Sequence, residues 1–256
     1  MTDIALIAPI DTEAELDRIA AHYQAAGGAG VKLLNLLGGK VEGILEKLPE
    51  PVRDGLGDAT ERALFLAMQA AQHSRTAVPD QKEWVNTAVT TAMGAAGGFG
   101  GLPAALVELP ATTTVLMRAI QGVAANHGFD PDAENVQFDC VRVFSAAGPL
   151  AMDDGADLSF LSLRLTLTGS AMQSLITAVA PKLAFVLGQK LALQTVPVLG
   201  AVAGASVNYT YTKYYQQIAH VHFGMRRLAI DADLSNEDLV MRLEERMQRR
   251  IRTKSS

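Results

Sequence analysis

At 256 residues the chain is long enough to bury a substantial core, and 49% apolar against 19% charged residues exclude a disordered one. A net charge of −5 excludes the basic face that a nucleic-acid binder needs, so no nucleic-acid partner is expected. The single cysteine, Cys140, excludes an internal disulfide and a cysteine-based zinc knuckle, and fits a reducing, cytoplasmic compartment.

Helical periodicity runs along the chain, and the apolar mass is mainly Ala, Leu and Val, so an all-α fold of one compact multi-helix domain is expected. The N-terminal MTDIALIAPIDTEAELDR has no basic region before its apolar residues and does not read as a secretory signal. Asp11 or Thr12, with Glu15, predicts a helix start, and Gly27-Gly28 its stop. Val31, Leu34, Leu37, Val41, Ile44, Leu45 and Leu48 predict a second helix ending at Pro49. A third is expected over Val52–Arg75, broken by Pro79-Asp80, and a fourth over Trp84–Ala96.

A glycine cluster, MGAAGGFGG, then leads into a helix with Pro103 in its first turn and running to about Asn126, stopped by Gly128. Asp130-Pro131 predicts an N-cap and first helical residue for a helix to about Ala147. Residues 155–167 are β-rich by propensity, but Leu158, Leu161 and Leu165 keep helical spacing, and helix is the expectation. Helices follow over Ala171–Lys190, around Pro181, and from Pro197 to about Arg227. Ser235 predicts the N-cap of a polar last helix whose arginines 246, 249, 250 and 252 fall at its C-terminal end. Three segments result: an N-terminal helix (1–27), a helical body (28–228) and a charged C-terminal helix and tail (229–256).

Two stretches carry no charge at all, Trp84–Val107 and Leu191–Thr212. Each is long enough to cross a bilayer, but Thr, Asn, Gln, Pro and clustered Gly replace Leu, Ile and Phe, so shallow or peripheral contact is expected and spanning is not.

The glycines are the first candidates for chemistry. From Gly98 the third position of a G-x-G-x-x-G fingerprint is Pro103, and no Walker lysine follows, so no nucleotide is expected. The cluster reads as a small-residue junction where backbones approach closely. Glu108 is the one charge between Glu83 and Arg118, with Thr112 one turn on. His220 and His222 stand two residues apart, on opposite faces of a helix, and cannot chelate one metal together. H-E-x-x-H and G-x-S-x-G are absent, so no catalytic residue, metal or cofactor is assigned. In VNYTYTKYYQQIAHVHF, Asn208, Tyr211, Tyr215, Ile218 and His222 form one stripe of the kind that favours an apolar–water boundary.

GGFGGLPAALVELPATTTVLMRAIQGVAANHGFDP resembles the signature of the EcsC family, with Gly98, Gly101, Pro103, Pro110, Ala111, Arg118, Gly128, Asp130 and Pro131 in place. VPVLGAVAGASVNYTYTKYYQQIAHVHF is similar to a second block, through Pro197, Gly200, Gly204 and Asn208. Glu-Leu-Pro stands where Asp-Ile-Pro or an apolar version is usual, and Phe129 replaces a frequent His and removes a possible metal ligand. The resemblance implies a bacterial protein working near the membrane, in a family named after a protein encoded beside an ABC transporter, and it supplies no catalytic residues.

The leading expectation is a non-enzymatic helical protein that binds lipid or another apolar ligand, peripheral at the inner face of the membrane. Glu108, Thr112, Arg118, Asn208, Tyr211, Tyr215 and His222 are its candidate ligand-binding residues. An alternative is a soluble hydrolase-type enzyme in which Glu108 works with Asp139 or His127. A third reading is a helical partner of a membrane complex such as a transporter. The oligomeric state is left open.

Overall fold

The computed structural model describes residues 10–28, 44–77, 80–99, 101–146, 158, 161, 171–194 and 200–254. Among them are eight α-helices and no strand: α1 (Thr12–Ala26), α2 (Glu50–Ala77), α3 (Glu83–Phe99), α4 (Gly101–Asn126), α5 (Glu134–Val143), α6 (Ala171–Gln194), α7 (Gly200–Ala232) and α8 (Asn236–Lys254). The all-α architecture is as the periodicity predicts.

Several ends form where local chemistry places them. Asp11 caps α1, its carboxylate accepting from the backbone N–H of Glu13 and Ala14 at 3.1 and 3.0 Å. Gly128, at φ +78°, ends α4 in a left-handed turn, with the Phe129 N–H reaching back to the Ala124 carbonyl at 3.1 Å. The Ser235 hydroxyl accepts from the Asp238 N–H and opens α8. Other ends differ from expectation. Asp130 spends its carboxylate on the Asp132 N–H and forms a turn, so α5 starts at Glu134 without a side-chain cap. α2 begins at Glu50 and takes Pro51 into its first turn, where a missing N–H is harmless. The helix expected over 31–48 lies mostly outside the described residues, apart from a single 3-10 turn at Ile44–Lys47. The one expected over 155–167 is described only at Leu158 and Leu161, both buried.

The glycines are not a loop. Gly94, Gly97 and Gly98 lie inside α3, and α4 resumes at Gly101, so α3 and α4 make a tight hairpin. α6 and α7 also pack antiparallel, the Tyr211 hydroxyl reaching the Val186 carbonyl and Lys190 and Asn208 meeting at Glu108. The centre of the fold is α7, which packs on α1, α3, α4, α5, α6 and α8, most closely on α3. The reason for that closeness is steric: a Cβ on Gly94 would stand 2.2 Å from the carbonyl oxygen of Gly204, so the two backbones touch. α1 lays Leu16, Ile19, Ala20 and Tyr23 into the same core, and Arg246 of α8 pairs with Glu13 and Asp17 of α1. Met172–Ala192, within α6, is the one described stretch long and apolar enough to cross a membrane. Its most apolar window is 72% buried inside the protein, as in a core helix.

Candidate functional site

Glu108 enters the interior one and a half turns past the Pro103 end of α4, and four helices meet around it. Its side chain is 8% exposed. Oε1 accepts from Thr112 Oγ1 at 2.6 Å and from Asn208 Nδ2 at 2.8 Å, and Lys190 Nζ lies 3.4 Å away. Thr112 follows from the i, i+4 spacing on α4, Asn208 comes from α7 and Lys190 from α6. The Asn208 amide also donates to the Thr90 carbonyl of α3 at 2.8 Å, so one side chain ties three helices. Oε2 points at α3, where a Cβ on Gly97 would sit 1.9 Å from it. The glycine is required because the carboxylate occupies the space of a side chain.

Lys190 is 1% exposed. Burial drives its pKa below the ordinary lysine value, while the Glu108 charge and hydrogen bond oppose that shift. Among the described residues neither Glu108 Oε2 nor Asn208 Oδ1 has a hydrogen-bond partner. The cluster is an ion pair held in a nearly dry, small-residue crossing.

Its place in the sequence carries the meaning. Glu108 ends the first uncharged stretch and Lys190 precedes the second, so one bounding charge of each run neutralises the other inside the protein. Along these two hairpins the chain beyond them is uncharged: roughly 10 Å of helix past Glu108 at 1.5 Å per residue. The Gly94–Gly204 and Glu108–Lys190 contacts place the C-terminal ends of α3 and α6 and the N-terminal ends of α4 and α7 at the same end of the described fold. That end exposes Val107 (81%) and Val202 (69%).

The other expected ligand contacts lie elsewhere. Arg118 is 3.5 Å from Asp80 and nearly three turns further along α4. Tyr211 is buried one turn below Asn208, its hydroxyl donating to the Val186 carbonyl at 3.2 Å. Tyr215 is fully buried, packed edge-on against Phe144. His222 lies 3.2 Å from Asp139, more than three turns from Asn208. The stripe of Asn208, Tyr211, Tyr215, Ile218 and His222 is therefore core along its whole length, because α7 is covered on that face. Tyr209 is the tyrosine of this run that reaches solvent, at 46%.

Glu108, Asp139 and His127 do not converge either. His127 stands at the far end of α4, roughly 28 Å along the helix from Glu108. Asp139 is engaged by Arg226 at 2.5 Å and by His222. Burial opposes charge on Asp139, yet His222, Arg226 and Arg142 together hold its carboxyl below the usual value.

A second cluster was not foreseen from the sequence. His22 of α1 stacks on His220 of α7 with ring centroids 4.4 Å apart, His127 Nε2 lies 3.0 Å from His220 Nδ1, and His220 Nε2 lies 2.9 Å from Glu83 Oε1. The three imidazoles line a cavity of about 310 Å³ with Glu15, Arg18, Arg227 and Asp231. Among the described residues no three His, Cys, Asp or Glu side chains are placed to hold a metal ion. The hydrogen bond from His220 lowers the Glu83 pKa despite partial burial.

His127 is pushed down to about 4, first by burial and then by His220 and His22. Below its ordinary 6.5 the unfolded chain takes up a proton that the folded one refuses. Stability is therefore expected to fall with pH from about 6.5 to about 4, and to owe nothing to this residue's titration above that window. Urea midpoints of His127→Gln should fall less steeply than wild type across it. Equal slopes would show that His127 titrates normally in the fold.

The family model described as the EcsC protein family matches residues 75–228. That span is more than half of the chain and contains Thr90, Gly94, Gly97, Glu108, Thr112, Lys190 and Asn208. No curated protein and no solved structure matches.

Proposed function

The chain belongs to the EcsC protein family, and from that premise we propose a non-enzymatic role as a peripheral membrane protein that docks by the uncharged ends of its two helical hairpins. The observation that carries this reading is the convergence of Trp84–Val107 and Leu191–Thr212 at one end, with their bounding charges Glu108 and Lys190 buried against each other. Hairpin ends without charge enter the outer part of a bilayer at low cost, and valines exposed there gain by leaving water. The helices around it are held by close backbone contact and do not need to open for contact to occur. The mostly buried α6 supports docking over spanning.

The test is flotation of the purified protein with phosphatidylcholine vesicles and with mixtures containing phosphatidylglycerol. Wild type is expected to rise with the vesicles. Val107→Asp and Val202→Asp, both exposed and so harmless to folding, are expected to weaken binding at least about tenfold each, because a carboxylate in the apolar layer costs a few kcal/mol. Wild type remaining at the bottom of the gradient with every vesicle would sink the reading, and would favour a protein partner for this end.

A further inference from the structure

Beside the α3–α7 crossing runs an open groove of about 580 Å³. Its floor is Ala88, Ala92, Ala95 and Ala205, and its walls are Trp84 (64% exposed) and Tyr209 (46% exposed). The two threonines that border it offer methyl groups, because their hydroxyls are spent inside the protein. Thr87 donates to the Glu83 carbonyl at 3.0 Å, and Thr91 to the Thr87 carbonyl at 2.6 Å. From Ala95 to Trp84 the groove extends about 16 Å, close to the roughly 15 Å of hydrocarbon in one leaflet.

At its far end from the turns the groove meets a polar recess of about 530 Å³, which shares Trp84 and Lys213 with it and adds Lys82. The recess also contains Asp80, which pairs with Arg75 at 2.7 Å, and Glu83, which accepts a hydrogen bond from His220 at 2.9 Å and feels the charge of Lys213. Among the described residues, no carboxylate lies within 4.0 Å of the ammonium of Lys82 or Lys213. Trp84 and Lys213 stand at one level, about 20 Å from the hairpin turns. A tryptophan and a long cationic side chain at one level suit the boundary between an acyl chain and its headgroup.

We infer that this groove binds one anionic phospholipid, with an acyl chain on the alanine floor between Trp84 and Tyr209 and the phosphate at Lys213 and Lys82. The chain runs toward the turns and the headgroup toward the recess. The source of the ligand rests on the membrane-docking reading, and a measurement in solution separates the two.

Trp84 is the protein's single tryptophan and stands in the groove wall, so its fluorescence reports occupancy directly. Monomeric lysophosphatidylglycerol, added below its micelle concentration, is expected to shift Trp84 emission to the blue and to saturate at one molecule per chain. Ala92→Phe, which fills the exposed floor without touching the core, should weaken that response at least tenfold. Lys213→Gln should weaken lysophosphatidylglycerol severalfold and leave lysophosphatidylcholine unchanged. An unsaturable response, one unaltered in Ala92→Phe, or equal affinities for the two lysolipids would overturn the inference. Flotation of Ala92→Phe on phosphatidylcholine vesicles tests docking by itself. If it floats as wild type does but no longer responds to the lysolipid, both proposals stand. If wild type fails to float, docking falls, and the lysolipid titration still decides the groove.

Discussion

Replacing Lys190 with methionine is expected to destabilise the fold by about 3–5 kcal/mol, read as the shift in urea midpoint at neutral pH. The substitution keeps most of the apolar stem and removes the ammonium that lies 3.4 Å from Glu108. It leaves a carboxylate that is 8% exposed with hydrogen bonds from Thr112 and Asn208 on one oxygen, and no described partner on the other. An uncompensated buried charge is costly, whereas a pair removed together is not. The double variant Glu108→Gln/Lys190→Met should accordingly recover at least half of the loss, since an amide at 108 can still accept from Thr112 and Asn208. A single variant within about 1 kcal/mol of wild type would show that the pair is solvated and the hairpin ends are open.

The second large effect is at Gly94. In an exposed helix interior, alanine for glycine stabilises by roughly 0.5–1 kcal/mol, and Gly55 and Gly57 of α2, with nothing within 4 Å of an added Cβ, should behave so. At Gly94 the sign reverses. The new methyl would stand 2.2 Å from the Gly204 carbonyl oxygen and 2.6 Å from Asn208 Nδ2, and a backbone atom cannot swing aside. α3 and α7 must separate, which stretches the Asn208 bridge to Thr90 and Glu108. A loss of at least about 1–3 kcal/mol is expected, with both Gly→Ala controls on α2 unchanged or gaining. A stabilised Gly94→Ala protein would contradict the close crossing outright.

Much of this was legible in the residues. The two uncharged runs, the helix starts at Asp11 and Ser235 and the stop at Gly128 follow from local chemistry, as does the Glu108–Thr112 contact from i, i+4 spacing. Lys190 was missed, although it stands at the border of an uncharged run as plainly as Glu108 does. What identifies it is its partner, and the pairing joins residues 82 positions apart. The histidine cluster was missed for the same reason: His22, Glu83, His127 and His220 belong to three different helices and the turn after a fourth. Periodicity puts the Tyr211–Tyr215 stripe at a boundary because it reports which side chains share a face. It does not report how many other helices cover that face, and here the cover is complete. Asp130 illustrates the reverse limit, since a residue suited to capping satisfied a nearer N–H in a turn.

By itself the sequence determined the all-α class, several helix ends and the two stretches without charge, because each depends on residues within a few turns of one another. Only the tertiary structure decided that those stretches meet at one end, that Glu108 and Lys190 pair there, and that tyrosines 211 and 215 are core. Such facts depend on which helix covers which face. That is settled by the fit of whole surfaces, here by glycines that let α3 and α7 touch, and no local pattern records it.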